Sequence, residues 1–331
     1  KIEIEESTVS SNSSKFFNTS LVDYSSPVKL LLGSDGSFEY KSVLNNPART
    51  ESIKRQLIKA YSGALNTSVL DTDLYRFNVI LDARYDSDVK LAISDLARNS
   101  RRDFLFFADT VTSEYPVSPE DVLEWKRSEF NVSSEYVPIF SQDLTYYDEY
   151  TGKDIRFTPT YNLSSKIPRL AIERGLHYTL AGPRRGLIEG HKALSWSPNS
   201  AYREKLYTSK INYIQQDTRS TRFNSQLTSI NSTGPLSYIN NMFTILSIKR
   251  EFEDLLTSYQ FEFSDDETVD SLYTELNNAS SKYLSNRSCE TISVEVSRSD
   301  YDKQQRIIRV NVSIKFNDII ERIVLNLSAK K

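Results

Sequence analysis

One cysteine, two histidines and nine glycines in 331 residues close off several kinds of chemistry at once. A lone Cys289 cannot build an intramolecular disulfide framework or a cysteine-based metal site, so the fold has to rest on its apolar core. With so little glycine, phosphate-cradling loops are hard to build. No Walker A loop, dinucleotide glycine fingerprint, His-Glu-x-x-His helix or nucleophile elbow is present. Long apolar runs are missing as well: none approaches the roughly 20 residues that span a bilayer, and Lys1 to Glu6 has no signal-peptide character. Membrane insertion is therefore not expected. Neither sign of charge dominates, since 41 basic residues face 44 acidic ones, and that balance lacks the field of a nucleic-acid binder. The first residue is Lys and not Met, so the natural N-terminus is expected to lie upstream.

What is there suits an ordinary folded protein, with 38% apolar and 26% charged residues. The length allows two or three compact units, or one large core with insertions. Ten Asn-x-Ser/Thr sequons occur, but Asn311 and Asn326 fall inside expected strands, where a glycan is expected to obstruct packing. No internal repeat or low-complexity block stands out.

Residues 1–50 read as a polar lead-in with short strands, Ile2 and Ile4 alternating with glutamates and turns at Gly33 to Gly36 and Asn45 to Pro47. Helix is expected from about Thr50 to Tyr61. The clearest supersecondary signal follows: a β-rich run at Tyr75 to Leu81, an apolar helical face of Val89, Ala92, Ile93, Leu96 and Ala97, and a second apolar strand at Phe104 to Ala108. Strand, helix and strand at that spacing make a βαβ unit with parallel strands. Ser118-Pro119-Glu120-Asp121 is a helix start with Ser as N-cap and acids in the first turn, and that helix is expected to run to about Arg127. Val137 to Phe140 is a short strand and Asp148 to Gly152 a turn. Leu206, Ile211 and Ile214 have helical spacing between Asn199 and Gln215, with a break near Thr208-Ser209. Two long amphipathic helices are expected at Met242 to Tyr259 and Thr268 to Leu284. Alternating runs at Ile292 to Val296, Ile308 to Phe316 and Ile323 to Leu327 finish the chain. The fold class is α/β to α+β, a mixed sheet core flanked by helices with a β-rich C-terminal part. The expected divisions are 1–50, an α/β domain over 51–235 with the βαβ unit at 74–109, and 236–331 packing on the same core.

Candidate chemistry is sparse. Asp82 and Asp109 each follow a strand of the βαβ unit, and α/β folds place ligands at the carboxyl ends of parallel strands; the alternative is a turn or helix cap. His177 and His191 lie in a turn-rich stretch and read as surface or packed residues more than as metal ligands or a general base. At Asp265-Asp266-Glu267, Ser264 or Asp265 as N-cap with acids over the helix dipole is the reading placed ahead of a cation site. Cys289 has no nearby histidine and reads as inert. Tyr146, Tyr147 and Tyr150 form an aromatic cluster suited to an interface or a core rim. No catalytic, cofactor-binding or metal residue is assigned.

The order of these segments resembles the C-terminal half of contractile tail sheath proteins of myoviruses. The resemblance runs through Leu74 to Tyr85, Val89 to Ala97 and Phe104 to Asp109, a strand ending in Asp, a helix and a strand closing in Asp. It continues with Tyr150-Thr151-Gly152, Thr158-Pro159, Glu173-Arg174-Gly175 and Leu180-Ala181-Gly182-Pro183. Further on come Leu206 to Ile214, with Ile211-Asn212-Tyr213-Ile214 intact, Tyr238 to Arg250, and Phe261-Glu262-Phe263. Each motif is short, and the shared order over about 74–327 carries the likeness. One departure is plain: the family's Trp-Gly-x-Arg-Thr block is replaced by Ile230 to Pro235, which marks a distant member, with a giant phage as a candidate source.

The resemblance implies a mechanical protein without cofactors: a sheath subunit, or a fragment of one, that stacks helically on copies of itself around an inner tail tube. It would meet a baseplate, contract to drive the tube through a host envelope in viral genome ejection, assemble in the host cytoplasm and reside in the virion tail. Terminal β-arms that join a neighbour's sheet would link the subunits. Candidate inter-subunit contacts are Ile323, Leu325 and Leu327 on the last alternating run, with Arg184, Arg185, Asp265 and Asp266 as charged patches. The alternatives are an α/β hydrolytic enzyme using Asp82 or Asp109, and another injection-machine component with the same fold.

Overall fold

Leu105-Phe106-Phe107-Ala108 is apolar on both of its faces, and a strand of that kind needs cover from two sides. In the computed structural model, which describes residues 47–110, 118–317 and 319, β2 (Leu105–Asp109) has that cover. It lies between β1 (Val79–Leu81) and β3 (Ile139–Phe140), and β8 (Ile211–Asn212) follows β3. All pairings are parallel, with Val79 opposite Leu105, Ala108 opposite Ile139 and Ile139 opposite Ile211. The chain's contacts divide it into a unit through Ile53 and one from Lys54. Of the first, the start of helix α1 (Pro47–Tyr61) is described; the sheets belong to the second.

Alternation along β2 sorts the core into two layers. Phe104, Phe106 and Ala108 face one side with Ile139 and Ile211. There they meet Val89 and Ile93 of α2 (Ser87–Asp95), Val122 and Trp125 of α3 (Pro119–Ser128) and Leu206 of α5 (Ser200–Thr208). Leu105, Phe107 and Phe140 face the other side, against Leu163, Ile167 and Leu170 of α4 (Pro159–Glu173) and Ile239, Met242, Phe243 and Leu246 of α6 (Ile239–Ser258). Phe107 stacks on Phe140 and Phe243 at centroid distances of 5.8 and 6.0 Å. Local signals agree with this packing. The capping box at Ser118 forms, its Oγ accepting from Asp121 N at 3.3 Å while Asp121 Oδ2 accepts from Ser118 N at 3.1 Å.

Two small antiparallel sheets flank the parallel one. In one, β5 (Lys153–Phe157), β4 (Leu144–Asp148) and β7 (Ala193–Leu194) run in that order; in the other, β6 (Leu187–Ile188), β10 (Thr221–Phe223) and β9 (Ile214–Gln216) do. The C-terminal part has its own core. Ile248 and Phe252 of α6 meet Leu272, Leu276 and Tyr283 of α7 (Asp266–Ser285) and Val294 of β11 (Cys289–Ser297). β11 pairs antiparallel with β12 (Arg309–Phe316), and a short helix α8 (Asp300–Gln305) connects them.

Three expectations need correction. The helix between Asn199 and Gln215 ends at the expected break, at Thr208, but does not resume, because Lys210 turns left-handed at φ 60° and Ile211 enters β8. Leu206 and Ile211 share a spacing because both fill one core from two elements. The strand from Tyr75 is shorter than its β-rich run. Arg101 Nη2 takes the Tyr75 carbonyl at 2.7 Å and Arg250 Nη2 that of Phe77 at 2.6 Å, so these carbonyls are not left for a strand partner. Asn311 lies in β12 as expected but is exposed on the outer face, where a strand position does not obstruct a glycan. The runs at Ile2 and Ile4 and at Ile323 to Leu327 lie outside the described residues.

The double-sided core makes a direct prediction. Phe107→Ala removes a fully buried ring that serves two aromatic stacks and is expected to cost about 3–5 kcal/mol. Ile172→Ala, at a residue 87% exposed, should stay within about 0.5 kcal/mol. Urea denaturation of both variants measures the contrast, and equal losses would contradict the assigned layers.

Candidate functional site

The carboxyl edge of the parallel sheet is where a ligand is expected in an α/β fold, and it holds Asp82 and Asp109. Asp82 leaves β1 as the chain turns toward α2; Asp109 closes β2. A third residue, which sequence reasoning missed, lies between them. Lys90 of α2 places Nζ 3.0 Å from Asp82 Oδ2 and 3.0 Å from Asp109 Oδ1, and donates to the Asp109 carbonyl at 2.6 Å. Its side chain is 0% exposed, and the Trp125 ring lies 5.4 Å away. Tyr85 N donates to Asp82 Oδ1 at 3.0 Å and Asp109 N to Asp82 Oδ2 at 3.1 Å. From the start of α4, Thr160 Oγ1 donates to the Asp82 carbonyl at 2.8 Å, lies 3.3 Å from Asp109 Oδ2, and is 2.6 Å from Thr158 Oγ1.

A neighbouring pair extends the tie toward β4. Arg84, left-handed at φ 60°, bonds Asp143 Oδ2 through Nη2 at 2.9 Å. Gln142 is left-handed too, at φ 80°, and its amide bridges strand ends by donating to the carbonyls of Trp196 and Ile214 at 2.9 and 2.8 Å. Burial, with the Asp109 charge adding to it, pushes Asp82 up to about 7 against the pull of Lys90. Burial likewise pushes Asp143 up to about 6, with Arg84 opposing. Burial alone would lower Lys90, but the two carboxylates more than offset it and raise the amine.

Chemically this edge is sealed. Asp82 and Asp109 are 4% and 0% exposed and their oxygens are engaged within the chain, so the geometry binds strand ends together and presents no face to a substrate. Two concave surfaces among the described residues lie away from this edge. One groove of about 800 Å³ runs between α6 and α7 and reaches Asn78 and Asp103, at the opposite, amino ends of β1 and β2. Another, of about 790 Å³, lies between α3 and α5.

The other singled-out residues have local partners. Of the two caps expected, Ser264 and Asp265, it is Asp265 that caps α7, accepting from Thr268 N at 2.9 Å. Asp266 pairs with Arg298 at 2.6 Å. Arg185 is half-buried, donates to the Thr179 carbonyl at 3.0 Å and lies over the Tyr178 ring at 5.1 Å; Arg184 is exposed. Ile323, Leu325 and Leu327 lie outside the described residues. His177 and His191 are held below their ordinary pKa by burial, and among the described residues no cluster of three or more His, Cys, Asp or Glu could hold a metal. Cys289 is buried, its thiol pushed up to about 11 by desolvation, which suits an inert residue.

No protein-family model and no curated protein matches the chain. Solved structures do. A chain of the anti-feeding prophage (AFP) baseplate aligns over 95% of this chain and 85% of its own, at TM-score 0.64 and 14% identity. The AFP helical sheath in the contracted state aligns over 87% and 86%, at 0.62 and 15%. The contracted PVC sheath complex of an extracellular contractile injection system aligns over 87% and 83%, at 0.64 and 13%. The chain therefore has a tail-sheath-like α/β fold, in agreement with the resemblance read from its motifs.

Lys90 is the residue on which this edge depends. Lys90→Met leaves two buried carboxylates without their cation and is expected to destabilise the protein by about 3–5 kcal/mol. Lys303→Met, which breaks an ion pair whose lysine is half exposed, should cost no more than about 1 kcal/mol. Chemical denaturation at neutral pH distinguishes them, and a neutral Lys90→Met would contradict the tie.

Proposed function

We propose that this chain is a structural subunit of a contractile sheath, which assembles with copies of itself into a helical array around an inner tube and contracts as a unit. The observation that carries the reading is the near end-to-end likeness to sheath chains, about as complete for those chains as for this one. A sealed carboxyl edge, where an enzyme of this class would open a pocket, is in keeping with it. Under the same reading the array joins a baseplate, belongs to the tail of a phage or a phage-like injection machine, and in a phage serves genome ejection from a virion tail assembled in the host cytoplasm. No nucleic acid is a partner in this scheme. A baseplate position for the chain is the second reading, favoured by the likeness to an AFP baseplate chain.

The β11–β12 sheet supplies a place for subunits to join. Its inward positions Val310, Val312, Ile314 and Phe316 pack on the C-terminal core, and among the described residues each strand has one neighbour, leaving an edge on either side for strand addition. The last run, with Ile323, Leu325 and Leu327 alternating, is the candidate added strand, and Arg184 is a candidate rim contact.

Antibody labelling of purified tail particles in the electron microscope tests the assignment. Label along the tail supports the sheath, label confined to its tip supports the baseplate, and unlabelled particles overturn both. Deleting residues 320–331 is expected to leave a soluble chain with an unchanged melting temperature that no longer polymerises on sedimentation. Aggregation with a lowered melting temperature would instead mean that the run completes its own subunit. Raising salt from low to high should weaken polymerisation while leaving folding unchanged, because exposed pairs are screened.

A further inference from the structure

One amine serves two carboxylates in the dry interior of the sheet edge. The side chains of Asp82, Asp109 and Lys90 are 0%, 1% and 0% exposed, and fully ionised they carry one uncompensated negative charge. The elements around them leave that charge unbalanced. The turn before α2 brings Arg84, which is bonded to Asp143, and Asp86, which pairs outward with Lys54. α4 brings the neutral hydroxyls of Thr158 and Thr160, and α3 the Trp125 ring. Asp143, entering β4, adds a further carboxylate, and its charge is opposed by Arg84 and by Arg156 of β5.

The hydrogen bonds also show where a proton fits. Asp82 Oδ1 accepts from Tyr85 N; Asp82 Oδ2 accepts from Asp109 N and faces Lys90; Asp109 Oδ1 faces Lys90. Asp109 Oδ2 faces the Thr160 hydroxyl at 3.3 Å, and that hydroxyl already donates to the Asp82 carbonyl. A carboxyl O–H on Asp109 Oδ2 finds an acceptor in Thr160 Oγ1, whereas an O–H on either Asp82 oxygen would point at a donor.

We propose that Asp82, Lys90 and Asp109 form a proton-held clamp, in which the two carboxyls keep one proton between them at neutral pH, seated toward Thr160, and lose their grip on β1, β2 and α4 when it leaves. With the proton in place the cluster is neutral; without it, one amine holds two buried charges. The proton comes from solvent and returns to it. The direction of the titration agrees: Asp82 is raised to about 7 from an ordinary value of 3.8. The folded chain thus keeps a proton that the unfolded chain releases, and the cluster's contribution to stability falls as pH rises from about 4 to about 7, then levels off. Lys90, raised above 10.5, contributes below that value and is lost only at higher pH, outside this window.

Infrared spectroscopy of the full chain tests the clamp. The wild type is expected to show the C=O stretch of a protonated carboxyl at about pH 6, fading by about pH 9. Asp143→Asn removes the other raised carboxyl and should leave most of this band in place. Asp109→Asn puts an amide N–H where the carboxyl O–H sits; made in the Asp143→Asn background, it should fold, lose the band and flatten the pH dependence of the urea midpoint. Asp82→Asn sets an amide donor against Lys90 or Asp109 N and should be the less stable of the two. A wild type without the band at about pH 6 overturns the proposal, as does a band and slope that survive when Asp109→Asn and Asp143→Asn are combined. If Asp109→Asn fails to fold, it has not mimicked a protonated carboxyl, and that too counts against the clamp.

Discussion

A parallel strand buried on both faces sets the terms for everything around it. Once Leu105 to Ala108 is apolar at every position, neither side of β2 can face water, and two separate helical layers become obligatory. The alternation of Phe104, Phe106 and Ala108 against Leu105 and Phe107 decides which helix meets which residue. The flanking antiparallel sheets, the caps and the buried ion cluster are arranged around that decision. Elements on both sides also donate to the strand ends: Lys90 reaches Asp109 from the layer on one face and Thr160 reaches Asp82 from the layer on the other.

Helix α6 carries this order into the C-terminal part. Its 20 residues span about 30 Å. Its N-terminal part packs Ile239 to Leu246 on the parallel sheet, and the part from Ile248 on places Ile248 and Phe252 in the core with α7 and β11. Arg250, near its middle, donates to the carbonyls of Phe77 and Asp103 at 2.6 and 3.1 Å, where β1 and β2 begin. A continuous helix shared by two cores transmits position without a hinge, so the β11–β12 sheet is held in register with the parallel sheet. That rigidity suits the proposed sheath subunit, whose work would be done at contacts between copies.

Much of this was legible from residue order. The βαβ unit, the Ser118 cap, the two long helices and the alternation of β11 and β12 follow from periodicity and end signals that tertiary contacts reinforce. The short strands β6, β7, β9 and β10 were not, since two or three residues carry no period. The segment around Ile211 was misread because apolar spacing records a shared core and not the backbone path that reaches it. For Lys90 a signal existed. Lys90, Ser94 and Ala97 lie one stripe beside Val89, Ile93 and Leu96, and all six are buried. A lysine within an inward-facing stripe announces a buried anion, because an uncompensated ammonium does not stay in a core.

That lysine also explains why the sheet edge could be read two ways. Polar residues after successive parallel strands sit where α/β folds place ligands, since the strands end together and their side chains converge. The same convergence puts two carboxylates within reach of one cation, and such a site is occupied either by a ligand from outside or by a charge from within. Here α2, the helix that connects the two strands, supplies the charge itself. Lys90 fills the space between the two carboxylates, and the edge closes on its own chain.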